Sequence, residues 1–545
     1  MLFILLTSVI IIPTFLGWGK FLENITKNQL FTGVSGKIIY GIFGISISWT
    51  VVAFFLPLNL IIEVTTLVLG LFYFFKERLY KELYQVPAKR KFLMLASIAM
   101  ILYCSSFYPY ILDHFGYYVP SIQWLREYGL VKGISNLDLV LGQMSIWHIF
   151  QAGFSNFTDP FLRINAVLLI VYLLYIIEKK NWIQLCFLPI LLLFSQSPSP
   201  DLPVIVFSLI LLNEMVAHNK NTVALFAFSV FVFSLKPTMI WLPILSFLSS
   251  LFIIKSHWKT LIPGIIILFL FCFKNIWTFG YPVFPVSVID FGFSWKPSAE
   301  LLKSSSEYAV LKTFDNQYSY LQIQQFSVLD YVKNWLFLDG IKSFINILFI
   351  ISLAVFTIFT FLKKNKIITF ICISLIVKSI LILIFSAQYR FFIDVFFVVI
   401  FMMTFTYFNE KKSIIIYSIL SIIFIAFISF PSVVSTLIPS YRMSSMMGQF
   451  ELKQLYKPSI YQYKRYNSFE TGNLKFNVSE KYPFNFDTPI PAISESFVFD
   501  YQKVGVFPQM IDKNNPQKGF VSKKMNSTEQ KQIKNVTEKI KNSYK

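Results

Sequence analysis

From Leu2 to about Phe430 one apolar run follows another, and beyond Phe430 the runs stop. Nearly every polar break among them is one of two alternating kinds. One kind is short and basic: Lys76 to Lys91, Glu178-Lys179-Lys180, Lys255 to Lys259, Lys363 to Lys366, and Glu410-Lys411-Lys412. The other carries carboxylates, Pro, Gly and aromatics: Asp113 to Pro160, Ser195 to Pro203, Phe279 to Gly340, and Ala387 to Asp394. A bilayer imposes this alternation, because short cytoplasmic connections collect Lys and Arg. It sorts the breaks onto two faces and leaves the chemistry-bearing residues on the outer one.

Each crossing helix needs about 20 mostly apolar residues. Candidate spans lie near residues 2–17, 37–55, 58–75, 93–112, 161–177, 182–195, 203–217, 222–235, 238–254, 260–278, 341–362, 366–386, 392–408 and 413–431, about fourteen in all. Runs such as Phe344–Leu362 and Ile414–Phe430 lack the alternating polarity of barrel strands, so they are read as helices. Starting with the N-terminus outside puts every short basic break in the cytoplasm, and the opposite start reverses them all. The first run has no basic segment before it and no small-residue cleavage site, so a retained span is expected rather than a signal peptide.

Composition agrees with a membrane solvent. Hydrophobic residues make up 55% and charged residues 14% of the chain, where soluble domains carry about 25% charge. The net charge of +20 follows from cytoplasmic loops and a basic tail and does not call for nucleic acid. Cys104, Cys186, Cys272 and Cys372 all sit within apolar runs, which suits packing rather than disulfides or metal.

The expected fold is an all-α polytopic membrane protein with amphipathic juxtamembrane helices and a small C-terminal extracytoplasmic domain, α/β or β-rich. Residues 1–92 would form N-terminal spans, 93–431 a membrane core with outer loops 113–160 and 279–340, and 432–545 the outer domain. Within the first loop, Pro120–Gly129 reads as a helix lying in the interface, opened by Pro120. Leu137–Phe150 repeats the pattern with Leu137, Leu141, Met144 and Ile149. In the tail, Phe497–Phe507 alternates as strands do, and the Lys/Asn/Gln-rich sequence from Asn514 onward is expected to be disordered or a frayed helix.

Among candidate site residues, Asp113 ends the fourth run at the outer surface, where partial drying would make it a more capable base. A plain solvated helix end is the simpler alternative for it. Asp201 lies in Ser197-Pro198-Ser199-Pro200-Asp201-Leu202-Pro203, a proline-stiffened connection that would hold a carboxylate still for positioning or for a divalent cation. It could equally cap the next helix. Asp138 reads first as a cap.

Lys236, Lys274 and Arg390 stand at outer ends of spans, where isolated cations are unexpected. A lipid phosphate would give them a purpose, and snorkelling to ordinary head groups is the alternative. Lys378 lies deeper and needs a partner, a carbonyl being one. His114, His148, His218 and His257 show no metal-ligand spacing. No phosphate-binding loop, dinucleotide fingerprint or nucleophile elbow occurs, so any donor must arrive already activated.

The arrangement resembles the GT-C superfamily of multispanning glycosyltransferases and, more narrowly, a bacterial GT-C-like multipass family. The stretches that carry the likeness are Asp113–Pro120, Tyr128–Leu137, Ser197–Pro203, Lys274–Pro285 and the Gln388–Phe391 turn. Two departures stand out: the loop follows the fourth span rather than the first, and the usual Tyr-His pair after the Asp is Tyr117-Tyr118, with a histidine at His114.

The resemblance implies an inverting enzyme of the bacterial cytoplasmic membrane. It would move a sugar from a polyprenyl-phosphate donor to a glycan, lipid or protein acceptor outside, with both termini extracytoplasmic. Asp113 would be the base, and Asp201 would assist it or hold Mg or Mn. His114, Tyr117, Tyr118 and Asp138 would position the acceptor, and Lys236, Lys274 and Arg390 would bind the lipid phosphate. A flippase or transporter is a rival reading, as is a polymerase or ligase of lipid-linked glycans. Loop 279–340, however, contains no Arg and no His for the latter.

Overall fold

The computed structural model describes residues 1–83, 88–437 and 446–544. Every apolar run is helical. Leu2–Thr26, Val34–Val52, Leu60–Lys76 and Lys91–Ser105 precede the first long polar connection. Ile164–Lys179, Trp182–Leu191, Asp201–Val216, Thr222–Leu235, Trp241–Leu248 and Ile262–Phe279 follow it. Ile341–Lys363, Lys366–Phe385, Ile393–Thr404 and Glu410–Ser429 complete the set. Among the described residues six helices are long and apolar enough to cross a membrane: Leu2–Thr26, Val34–Val52, Trp258–Phe279, Ile341–Lys363, Lys366–Phe385 and Glu410–Ser429.

The shorter runs have local causes. Pro189 lies inside Trp182–Leu191, which tightens into the 3-10 turn Leu192–Phe194; a proline ring crowds the preceding turn and donates no hydrogen bond. Trp241–Leu248 passes into a π-turn at Ser249–Ile253. Enclosure also differs between helices. Ile164–Lys179 is buried at every position through Ile177, as expected of a helix apolar all round. Ile341–Lys363 and Glu410–Ser429 instead leave Phe344, Ile351, Ile358, Phe361, Ile415 and Ile422 exposed, an apolar surface suited to lipid. A side chain at Gly17 would overlap the Gly70 carbonyl, so the first and third helices touch backbone to backbone.

The polar breaks segregate by kind. Lys37 pairs with Glu82, Arg90 with Glu410, and Lys179 with Glu214 at 2.7, 3.0 and 3.2 Å. Glu178 accepts from the Val34 and Ser35 amides at 3.0 Å each. These contacts join breaks of the basic kind. At the other end, Glu63 accepts from the amides of Asn156, Phe157 and Thr158, and Arg390 meets Asp113.

The 113–160 connection wraps this second end. Val119–Glu127 is a helix with Pro120 in its first turn, burying Ile122, Trp124 and Leu125 while Arg126 and Glu127 are exposed. The second stretch is not an interfacial helix. It forms 3-10 turns at Ile134–Asn136 and Leu139–Gln143, then a helix at Ile146–Phe154 that is buried at every position. Ser145, whose hydroxyl accepts from the Trp147 amide, starts that helix afresh and breaks the expected continuity. In the 279–340 connection, Ser298, Ser319 and Ser327 cap helices Ala299–Thr313, Tyr320–Gln324 and Val328–Leu336.

The tail holds two antiparallel pairs, β1 (Tyr466–Thr471) with β2 (Leu474–Ser479), and β3 (Val506–Met510) with β4 (Phe520–Lys524). Two expectations change here. Glu495–Val504 is a helix with Val498 and Tyr501 buried, so only the end of the Phe497–Phe507 stretch is strand. The sequence after Asn514 is ordered: it forms β4 and the helix Ser527–Ser543, which buries Ile533, Val536 and Ile540 at helical spacing and is capped by Asn526. Its polar composition hid a one-sided apolar stripe. Gly133 adopts φ +59°, and a side chain there would strike the Phe520 carbonyl, while Phe520 donates its amide to Lys132 O at 3.0 Å. The tail is thus stitched to the first connection.

Candidate active site

Asp113 precedes a π-turn at His114–Tyr118, and Arg390 sits in the 3-10 turn Tyr389–Phe391 between two helices. Arg390 Nη1 donates to Asp113 Oδ2 at 2.8 Å. Their side chains remain 36% and 30% exposed, which leaves the pair open to a ligand. Asp201 is the first residue of its helix but does not cap it. Its carboxylate pairs with Lys236 and accepts from Ser199 Oγ at 3.2 Å. Both cations rest on one ring: Lys236 Nζ lies 5.3 Å and the Arg390 guanidinium 5.1 Å from the centre of Phe391.

Beside the Asp201–Lys236 pair and Arg390 lies a cleft of about 40 Å³ whose walls include Asp201, Lys236, Thr238, Arg390, Phe391 and Asp394. That is room for a few waters, so a larger group needs the side chains around it to move. Asp394, in the first turn of Ile393–Thr404, pairs with the fully buried Lys378 and accepts from Trp241 Nε1 at 2.9 Å. The deep lysine's partner is therefore a carboxylate, not a carbonyl.

Electrostatics tie these groups together. Burial by itself would weaken the Arg390 cation, but Asp113, then Tyr117 and Asp201, outweigh it and hold the guanidinium above its ordinary value. Burial, with Asp113 beside them, pushes the Tyr117 and Tyr118 phenols well above theirs. Tyr118 donates to Ser199 Oγ at 3.4 Å, which links it to Asp201. From the 279–340 connection, Lys312 enters the same field: burial and the Arg390 charge lower its amine, and Asp113 opposes them.

Other expected residues lie apart from the cleft. Lys274 is buried, and Nζ donates to Met144 O at 2.5 Å, so it closes the first connection rather than joining Lys236 and Arg390. Asp138 neither caps a helix nor meets Asp113. It accepts from Asn485 Nδ2 at 3.0 Å and from the Ser494 amide at 3.2 Å, and burial raises it to about 6. His114 is buried with Nδ1 3.0 Å from Ser197 Oγ, and burial, aided by Arg163, lowers it to about 3. His148, packed on Tyr117 and Tyr118, is likewise lowered to about 3 by burial and Lys274. Both imidazoles are neutral near pH 7 and fasten turns.

Asp394 and Lys312 escaped the sequence. Lys378 carried a signal for the first, since a charge within a span needs a counter-charge; Lys312 carried none. Among the described residues no group of three or more His, Cys, Asp or Glu side chains could hold a metal ion.

A family model described as a domain of unknown function (DUF8201) matches residues 1–397, a range that contains Asp113, Asp201, Lys236, Arg390 and Asp394. No curated protein and no solved structure matches the chain.

Proposed function

We propose that this chain, which belongs to the DUF8201 family, is a glycosyltransferase of the bacterial cytoplasmic membrane. In this reading all fourteen apolar helices cross or fill the bilayer, with both termini and the Asp113 face outside. The short enclosed helices cross as parts of a bundle. The GT-C-like motifs of the sequence and the convergence of Asp113, Asp201, Lys236 and Arg390 from four distant stretches support it. The observation that carries it is the partly exposed Arg390–Asp113 pair.

A lipid phosphate entering the cleft competes with Asp113 for Arg390. Guanidinium recognises phosphate as readily as carboxylate, so donor binding releases the base that the reaction needs. Asp113 then takes the proton from the acceptor hydroxyl as its oxygen bonds to the anomeric carbon. The bond from that carbon to the phosphate oxygen breaks on the opposite side, which inverts the centre. The departing polyprenyl phosphate carries the charge away, stabilised by Arg390 and Lys236 in a poorly hydrated cleft. Asp201 holds Lys236 in place; a Mg or Mn ion would have to displace that lysine to bind there.

The test is detergent-purified protein incubated with a panel of undecaprenyl-phosphate sugars, with release of the lipid phosphate as readout. Release by the wild type and none by Asp113→Asn is the expected result. Equal release by both would remove Asp113 from the reaction.

A further inference from the structure

The segment 482–486 lies directly over the turn that follows Asp113. Phe486 donates its amide to Phe115 O at 3.1 Å, and the two rings stand 4.9 Å apart. A side chain added at Gly116 would touch Phe484 at 3.6 Å. Outward from that contact the rings continue: Phe484 to Tyr482 at 5.8 Å, and Tyr482 to Tyr463 at 5.2 Å, the latter two tilted by 34°. All three are half-buried, so each presents part of its surface. Exposed Lys464, Arg465 and Lys481 flank them. Among the described residues none of these three cations is in a salt bridge, although Lys464 lies near enough to the Asp487 carboxylate to favour its charge, and that carboxylate accepts from the Tyr463 amide.

The whole tail, residues 432–545, carries seventeen Lys and Arg against nine Asp and Glu. A short cytoplasmic loop would account for such a balance. A domain of this length on the outer side would not. Such a field favours a partner of opposite sign.

From this ledge we infer that the tail binds an acidic glycan, presenting a sugar hydroxyl to Asp113 from the Phe484 end. Sugar rings offer apolar C–H faces that pack on aromatic surfaces, and carboxylate or phosphate groups along the same chain meet Lys464, Arg465 and Lys481. A neutral glycan would use the rings and leave the cations idle; an anionic bilayer, which could use both, is the alternative that the vesicle competitor tests. The ledge has both, and its Phe484 end lies against the turn that follows Asp113. This inference rests on the transferase reading for its direction and names the acceptor class of that reaction.

The test uses the full chain in phosphatidylcholine nanodiscs and fluorescent polygalacturonate as probe, with dextran and phosphatidylglycerol vesicles as competitors. Polygalacturonate should bind and neither competitor should displace it. Tyr482→Ala should weaken binding at least tenfold, Tyr482→Phe should restore it, and Lys464→Gln with Arg465→Gln and Lys481→Gln should also weaken it at least tenfold. Binding indifferent to Tyr482→Ala, or displaced by the vesicles, overturns the inference, the latter in favour of a lipid-facing surface. The assay contains no donor, so failed sugar transfer leaves it readable, and failed binding leaves donor cleavage readable.

Discussion

Arg390 Nη1 and Asp113 Oδ2 are 2.8 Å apart although 277 positions separate the two residues in the chain. Such a pair joins the turn that opens the first long connection, eight residues past the fourth apolar helix, to the turn before the thirteenth, and it does so where both side chains are still reachable by solvent. A purely structural ion pair at this position gains little, since exposed pairs are worth about 0–1 kcal/mol. Its openness suits exchange of partners better than fastening.

The first prediction follows from that exchange. Asp113→Asn keeps the shape and should lower sugar transfer by about 10²–10⁴, the usual share of a general base, with expression and detergent elution unchanged. Arg390→Lys keeps a charge but loses the planar fork, so the donor KM should rise while some turnover survives. Steady-state kinetics with one undecaprenyl-phosphate sugar separates the two. A Lys variant with unaltered donor KM would place the phosphate elsewhere.

The buried Lys378–Asp394 pair should behave differently. Removing one member of a buried pair leaves an uncompensated charge and costs about 3–5 kcal/mol. Lys378→Met should therefore lower the thermal midpoint in detergent sharply. Adding Asp394→Asn removes the stranded charge and keeps an acceptor for Trp241 Nε1, so the double variant should regain most of the loss. Equal midpoints for single and double variants would show that the pair is not coupled.

Much of this architecture was legible in the chain because hydropathy and loop charge act over whole segments. Each apolar run became a helix, and the breaks sorted by kind. Asp113, Asp201, Lys236 and Arg390 stood out in the chain because carboxylates and cations at the ends of apolar runs need reasons. What sequence could not carry was pairing. Lys274 and Lys236 both stand near the same end of an apolar run, yet one ends on the Met144 carbonyl and the other on Asp201, a difference set by tertiary packing. The tail misled through composition. Ile533, Val536 and Ile540 are too few to lift the mean hydropathy of Ser527–Ser543, but their spacing puts them on one face.

Asp138 supplies a pH dependence. Burial raises it from 3.8 to about 6, so between those values the folded form holds a proton that the unfolded chain has lost. Stability from this group is present below about pH 4 and is lost as pH rises through about 6, a change of about 3 kcal/mol at 1.36 kcal/mol per unit. Because its partners are Asn485 and Ser494, the loss should loosen the tail from the first connection. Limited proteolysis of the tail should accelerate between about pH 4 and 6 in the wild type and level off above that, and Asp138→Asn should flatten that profile. An unchanged profile in the variant would assign the pH response to other groups.

Orientation is testable without any substrate. Glu127 and Lys364 are both exposed and lie in breaks of opposite kind. Cys104, Cys186 and Cys372 are buried and Cys272 lies half-buried on an apolar helix, so an introduced thiol should dominate labelling. In intact cells a membrane-impermeant maleimide should modify Glu127→Cys directly. Lys364→Cys should react only after the membrane is opened, since the charge bias assigns the basic breaks to the cytoplasm in the proposed orientation. The reverse pattern would put Asp113 and Arg390 on the cytoplasmic side. Soluble nucleotide sugars could then reach the cleft, and the case for a lipid-phosphate donor would fail with the topology.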